Sequence, residues 1–175
     1  MFNIRENSIR RKIKKLEKKS AERSFVVKPV KKVAILNNPA SNLSFENLKF
    51  VQRTLGLRSG QFEIFTFKHK TDSYNELRGI VASKEIIGTF GSLKSPEITA
   101  FLEKEYDLLL DFTAMSNIYE KFFFLSIQAN CRVGYFNEDE LYDLMLNIPV
   151  GDIKNFALET RRYLNIMGLL TPAAP

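Results

Sequence analysis

The stretch that decides the fold is YDLLLDFTAMSNIYEKFFFLSIQANCRVGYF, residues 106–136. An apolar run of strand length (106–112) leads through a polar loop (113–117) into an apolar segment of helix length (118–129), and a second short run (132–136) closes it. Strand, helix and strand within about thirty residues form a βαβ unit, whose crossover makes the two strands parallel. The unbroken Leu108-Leu109-Leu110 is typical of a parallel strand that is covered on both faces, so we expect these leucines to be buried.

The segments on either side predict more elements of the same alternating kind. Further strands are predicted at 33–36, 62–67 and 141–148, and helices from Ser41 or Ser44 to Leu57, at 95–104 and at 152–168. Residues 68–94 predict an irregular excursion with a short strand at most. The pattern indicates an α/β fold: a three-layer Rossmann-like or flavodoxin-like sandwich with about five mostly parallel strands. The order of the strands does not follow from the pattern.

Composition limits the class of protein. With 175 residues the chain has the length of one domain. No apolar run approaches the roughly 18 residues of a membrane span, and no apolar segment of a secretory signal follows the basic N-terminus. The single cysteine, Cys131, excludes an internal disulfide and favours a cytoplasmic location. Because it opens a predicted buried strand, we expect an inert thiol.

Positive charge is concentrated at the N-terminus. Residues 1–32 hold twelve Lys or Arg against three Glu, a net charge of +9, whereas the remainder carries a net charge of −3. We therefore divide the chain into a basic arm (1–28), a single α/β domain (29–170) and a frayed tail (171–175). Any polyanionic partner is expected to bind the arm.

The arm itself predicts a basic helix over 4–23. Ile9, Ile13 and Leu16 recur at helical spacing, but this apolar stripe is narrow for a core helix, so we expect the helix to protrude and to be dispensable for folding. The alternative to a polyanion-binding arm is a solvated extension, or an arm that packs against the acidic surface of the body. The candidate polyanion-binding residues are Arg10, Arg11, Lys12, Lys14, Lys15, Lys18 and Lys19.

A second candidate site lies in the loops that follow two predicted strands. In open parallel sheets, ligands bind outside the carboxyl ends of the strands, so we expect Asn38 and Ser116 to share one rim. The alternative is that the serines only cap helices and that Asp111 bonds to neighbouring backbone. The candidate ligand-binding residues are Asn37, Asn38, Ser41, Asp111, Thr113, Ser116 and Asn117.

Several kinds of site lack a sequence signature. No glycine fingerprint of a dinucleotide or P-loop site is present, so no cofactor is predicted. His69 is the only histidine, and no cysteine accompanies it, so no metal site is predicted. Glu138-Asp139-Glu140 indicates a solvated turn, with a Mg²⁺ site as the alternative.

Four features of the chain occur together: the basic arm, Gly88-Thr-Phe-Gly91 before a helix that begins with proline, the Tyr106-Asp-Leu-Leu run and Val133-Gly-Tyr-Phe-Asn-Glu138. With these features the chain resembles, over nearly its whole length, a family of small, functionally uncharacterised bacterial proteins from Bacteroidota. The resemblance implies no particular activity.

A more local likeness concerns Asp107-Leu-Leu-Leu-Asp111 and Arg132-Val-Gly-Tyr. These segments are similar to part of the acceptor domain of heptosyltransferase-type glycosyltransferases. Such enzymes carry a second, donor domain and an acidic catalytic residue after the first strand, where this chain has Asn37-Asn38. Because an amide cannot accept a proton from a hydroxyl group, general-base catalysis is not carried over.

Two function classes follow from the sequence. The first is a non-enzymatic α/β binding module whose arm holds RNA, the ribosome, an anionic membrane surface or a protein partner. The second is a small enzyme, or a decayed glycosyltransferase-like domain, with its site at the strand-end loops. Charge segregation favours the first, and an open pocket containing Asp111 would favour the second.

Overall fold

In the computed structural model, all strands of the described part of the chain (residues 4–70, 72 and 79–170) form one parallel sheet. The strands are β1 (Val33–Asn37), β2 (Phe62–Phe67), β3 (Ile80–Ala82), β4 (Glu105–Asp111), β5 (Gln128–Tyr135) and β6 (Leu144–Leu146). Their order is β3-β2-β1-β4-β5-β6. This is the Rossmann order, not the flavodoxin order, and strand order reverses between β1 and β4.

Within the described residues, five α-helices accompany the sheet: α1 (Ile4–Ala21), α2 (Phe45–Leu55), α3 (Pro96–Glu103), α4 (Ile118–Ser126) and α5 (Ile153–Ile166). Helices α2 and α5 share one apolar core with one face of the sheet, and α3 and α4 share a second core with the other face. Leu109 and Leu110 are buried and belong to opposite cores, as the unbroken apolar run predicts. The predicted three-layer α/β fold is confirmed, with six strands that are all parallel.

Capping residues mark the helix boundaries: Ser44 and not Ser41 caps α2, and Asn117 and not Ser116 caps α4. The side chain of Ser44 accepts a hydrogen bond from the Asn47 N–H at the start of α2, and Gly56, with a φ of 69°, ends that helix. Ser95 caps α3, and Asp152 caps α5, in the same way. These ends are local features, because a side-chain oxygen satisfies a free N–H within one helical turn.

Other boundaries differ from the prediction. Helix α4 ends at Ser126, not at residue 129, and β5 begins at Gln128, not at residue 132. The last strand is three residues long, because only Leu144–Leu146 pairs with β5. The excursion over 68–94 does contain a short strand, β3. The tail, 171–175, lies outside the described residues, and the division into arm and domain stays a prediction.

The prediction that the basic helix protrudes is wrong. Helix α1 packs against α4, and Ile9 and Ile13 are buried in the same core as α4. Polar contacts join α1 to the body at three further places: the Lys12 ammonium donates to Gly91 O at 2.6 Å, Glu17 pairs with Lys121 at 2.9 Å, and Ser20 Oγ accepts from Arg132 at 2.6 Å. The narrow apolar stripe is enough to hold α1 against the body, because α4 covers it.

Candidate functional site

The loops after β1 and β4 meet at the carboxyl edge of the sheet. Asn38 Nδ2 donates to Glu120 Oε1 at 2.8 Å, while the Ser116 N–H and hydroxyl donate to Glu120 Oε2 at 2.8 and 2.7 Å. Glu120, on α4, is buried. The prediction that Asn38 and Ser116 share one rim is therefore confirmed, because β1 and β4 are paired neighbours and the first turn of α4 lies beside both ends.

Asp111, the last residue of β4, has a side chain that is fully buried and fully engaged. Its Oδ1 accepts hydrogen bonds from the Thr113 N–H at 2.9 Å and hydroxyl at 2.7 Å, and its Oδ2 accepts one from the Tyr142 hydroxyl at 2.5 Å. The exposed fraction of Asp111 is 0%. This carboxylate holds the loop 111–115 in place. It binds Thr113, and Thr113 Oγ1 accepts in turn a hydrogen bond from the Met115 N–H.

The remaining strand-end candidates also contact one another or their own helix. Ser41 Oγ donates to Asn37 Oδ1, and Asn37 Nδ2 donates to Thr66 at 3.4 Å on neighbouring β2. Asn117 caps α4 by accepting from two backbone N–H groups. Asn38 Oδ1 is the exception, because it is buried without a partner in the described residues.

Two members of this network were missed in the sequence. Glu120 stands three residues after the capping Asn117, which is the spacing of a capping box, so the sequence did signal that its carboxylate turns back toward the loop. Tyr142 carried no such signal. It follows β5 and is 31 residues from Asp111 in the sequence, so only the fold brings the two side chains together.

We expect Asp111 to make stability depend on pH. Burial raises the pKa of this carboxyl from 3.8 to about 6; hydrogen bonds from Tyr142 and Thr113 oppose the rise, and nearby Glu120 adds to it. Between those pKa values the folded protein binds more protons than the unfolded chain, so the free energy of unfolding falls as pH rises. The contribution of Asp111 should fall by about 2 kcal/mol between pH 4 and pH 7.

Urea unfolding of the wild type and of Asp111→Asn across this range tests the effect. The substitution removes the titrating group, so the variant should gain stability relative to the wild type as pH rises. Glu138→Gln, at an exposed position, is the matched control and should follow the wild type. A constant difference between wild type and Asp111→Asn would contradict the raised pKa.

The basic residues of α1 form a separate candidate surface. Arg10, Arg11, Lys14, Lys15, Lys18 and Lys19 are exposed. With 100° per residue, Arg11, Lys14, Lys15 and Lys18 lie on the side of α1 opposite Ile9 and Ile13, and Arg10 and Lys19 lie on its two flanks. Lys12, the seventh candidate from the sequence, differs from these six: it is half-buried, and its ammonium group donates a hydrogen bond to Gly91 O.

Two further residues were discussed in the sequence analysis, His69 and Cys131. His69 is exposed, and no group of three His, Cys, Asp or Glu in the described ranges could hold a metal ion. Cys131 is buried, and desolvation raises the pKa of its thiol to about 12, which is the expected inert thiol. No helix among residues 4–70, 72 and 79–170 has both the length and the apolar character to cross a membrane.

Comparison with known proteins identifies a family. The model of a family of unknown function, DUF6913, matches residues 5–167. The chain belongs to the DUF6913 family. No curated protein matches it. A solved structure, the glycotransferase of kitacinnamycin, is similar with a TM-score of 0.29 and 9% identity, over 85% of this chain and 43% of that one.

These comparisons bear on both resemblances. The resemblance to functionally uncharacterised proteins is confirmed as membership of DUF6913, a family of unknown function. An origin in Bacteroidota stays a prediction. The chain spans less than half of the glycotransferase structure, and at that TM-score the similarity does not indicate a shared activity. The likeness to heptosyltransferase-type enzymes also stays a prediction.

Proposed function

We propose that this DUF6913 protein is a non-enzymatic binding module that holds RNA, free or in the ribosome, on the exposed face of α1. The observation that carries the proposal is the two-sided character of this helix. Its apolar side is packed against the body, and its outer side presents six exposed cations. Of these six, only Arg10 forms an ion pair with a described residue, Glu6, at 2.7 Å. The others are available for phosphate groups.

The arrangement of the cations suits a polyanion. Residues four apart lie on one line of a helix, with a rise of about 6 Å, so Arg10, Lys14 and Lys18 form one row. Arg11, Lys15 and Lys19 form a second row beside it. Two adjacent rows on a rigid helix can contact successive phosphates without ordering a flexible arm, which lowers the entropic cost of binding.

RNA is favoured over an anionic membrane because of the buried apolar stripe. A membrane-surface helix inserts its apolar face among the lipids. In α1 that face, Ile9 and Ile13, is 0% and 7% exposed against α4. Membrane binding through it would require α1 to leave the body. A cytoplasmic location, predicted from the single cysteine, agrees with an RNA partner.

An enzyme at the strand-end loops, the alternative from the sequence, has less support. Asp111 and Glu120, the carboxylates that bond to the loops after β1 and β4, are both buried with their oxygens hydrogen-bonded to the protein itself. A general base needs a free oxygen within hydrogen-bond reach of its substrate. These two carboxylates are engaged in holding loops.

Neutralisation of the outer face tests the proposal. The quadruple variant Arg11→Gln, Lys14→Gln, Lys15→Gln, Lys18→Gln removes four exposed charges and none of the α1–body contacts described above. If all four contact phosphates, the slope of log affinity against log salt for a single-stranded RNA oligonucleotide should decrease by about 3. Fluorescence anisotropy at several salt concentrations measures that slope.

The matched control removes four exposed charges from α2 and α5, on the other side of the sheet: Lys49→Gln, Arg53→Gln, Lys154→Gln and Arg162→Gln. Its net charge equals that of the α1 variant, but its RNA binding should stay close to that of the wild type. Equal losses in both variants would mean that only net charge matters. Binding to anionic vesicles but not to RNA would refute the choice of partner.

A further inference from the structure

We infer that a groove beneath the C-terminal end of α1 binds the phosphate group of a small organic molecule through Arg132. This groove encloses about 570 Å³. It lies at the amino ends of β4 and β5, the edge of the sheet opposite the strand-end loops. Its lining includes Lys19, Ser20, Arg23, Gln128, Asn130 and Arg132. The volume is within the range of small-molecule sites, roughly 300–1,000 Å³.

The main observation is the incomplete pairing of Arg132. Its exposed fraction is 4%. Its guanidinium donates to Ser20 Oγ at 2.6 Å and to Ile127 O at 3.3 Å, and lies 5.2 Å from the centre of the Phe124 ring. Its Nε is buried without a partner, and no hydrogen bond of its guanidinium reaches a carboxylate within the described residues, although its backbone N–H donates to Asp143 Oδ2 at 2.7 Å. A buried cation without an anion is costly, so an anionic ligand would be favoured here.

The guanidinium of Arg23, and not that of Arg132, holds the carboxylate of Asp143. Its Nη2 pairs with both carboxylate oxygens of Asp143 at 2.6 and 2.7 Å, and its Nη1 donates to two backbone carbonyls. The carboxylate of Asp143 is thereby engaged with Arg23. Burial, together with the proximity of Arg23, lowers the pKa of Arg132 to about 10, and nearby Asp143 opposes this decrease. An anion in the groove would further stabilise the charged form of Arg132.

Neighbouring groups complete a phosphate site. Lys19 is exposed at the groove and forms no ion pair with any residue of the described ranges. The Ser20 hydroxyl accepts from Arg132 and can donate its own hydrogen to a phosphate oxygen. The planar guanidinium fork and the ammonium point charge are the two groups that proteins use for phosphate.

Two exposed carboxylates, Glu22 and Glu105, also line the groove. Their carboxylates would repel a phosphate group that lay beside them at the exposed part of the groove, and their oxygens would accept hydrogen bonds from hydroxyl groups. This distribution favours a ligand with phosphate at one end and hydroxyls at the other. A phosphorylated sugar has that chemistry.

Titration with inorganic phosphate and with ribose 5-phosphate, each against chloride at equal ionic strength, tests the inference. Calorimetry should show saturable binding of ribose 5-phosphate, tighter than that of inorganic phosphate. The side-chain Nε–Hε resonance of Arg132, assigned by its loss in Arg132→Lys, should shift during the titration. Absence of saturable binding of both probes would overturn the inference.

Variants separate this site from the RNA surface. Arg132→Lys keeps the charge but loses the fork, so binding should be abolished. Lys19→Gln leaves the buried contacts intact and should weaken binding about fivefold, the effect of one partly exposed charge contact. Lys154→Gln on α5, and the quadruple variant on the outer face of α1, should bind like the wild type. Unchanged affinity in Lys19→Gln and Arg132→Lys would place the ligand elsewhere.

Discussion

A chain that begins at Ser24 should fail to fold. Removal of α1 exposes the part of α4 that Ile9 and Ile13 cover, and burial of two isoleucines contributes about 3–6 kcal/mol. The bidentate pair of Arg23 with Asp143 is lost as well. Because domains of this size are stable by only about 5–15 kcal/mol, the shortened chain should lack cooperative unfolding in urea when it is followed by circular dichroism.

Point variants make this prediction quantitative. Ile9→Ala creates a cavity at a position with 0% exposure and should lower the free energy of unfolding by about 2–5 kcal/mol. Ile4→Ala, in the same helix at a position with 57% exposure, is the control and should change it by less than about 0.5 kcal/mol. Cooperative unfolding of the shortened chain at the wild-type urea midpoint would show that α1 is an appendage.

Gly134→Ala should be nearly as damaging, although it adds a single methyl group. A Cβ atom at this position would lie 2.1 Å from Cε1 and 2.2 Å from Cζ of the Tyr142 ring. That ring has little freedom to retreat, because its hydroxyl is bonded to Asp111 and its edge packs on Phe124 at a centroid distance of 4.9 Å. We expect a loss of about 3 kcal/mol in the free energy of unfolding, measured in urea.

The cause can be isolated with a double-mutant cycle. In a Tyr142→Ala background the ring is absent, so Gly134→Ala should add little further destabilisation. Gly60→Ala is the control, since a Cβ there meets nothing within 4 Å and the backbone of Gly60 does not require glycine. A loss of the same size with and without the Tyr142 ring would mean that strand geometry, not the ring, excludes alanine.

The sequence predicted one half of the strand-end network and not the other. Asn38 and Ser116 were placed on one rim because carboxyl ends of parallel strands meet at one edge, and both indeed bond to Glu120. The hydrogen bond from Tyr142 to Asp111 could not be predicted from the sequence, because it depends on the path of the chain after β5. That contact is what distinguishes a buried structural carboxylate from an exposed base.

By itself the sequence determined the fold class, the caps of α3 and α5 and the basic character of α1. These are local properties: an unbroken apolar run such as Leu108–Leu110 needs cover on both faces, and a cap satisfies N–H groups within one turn. Strand order is different, because every order of parallel strands buries the same runs. Only the tertiary structure decided that β1 lies between β2 and β4.

The position of α1 was decided in the same way. Viewed alone, its stripe of Ile9 and Ile13 is too narrow for a core helix. The deciding feature lies more than a hundred residues away in α4, where Phe122, Phe123, Phe124 and Leu125 are all buried. Four consecutive apolar residues at 100° intervals surround a helix, so the sheet can cover only one side of α4. Helix α1 packs against α4 and so helps to cover it, which leaves only the basic side of α1 in water.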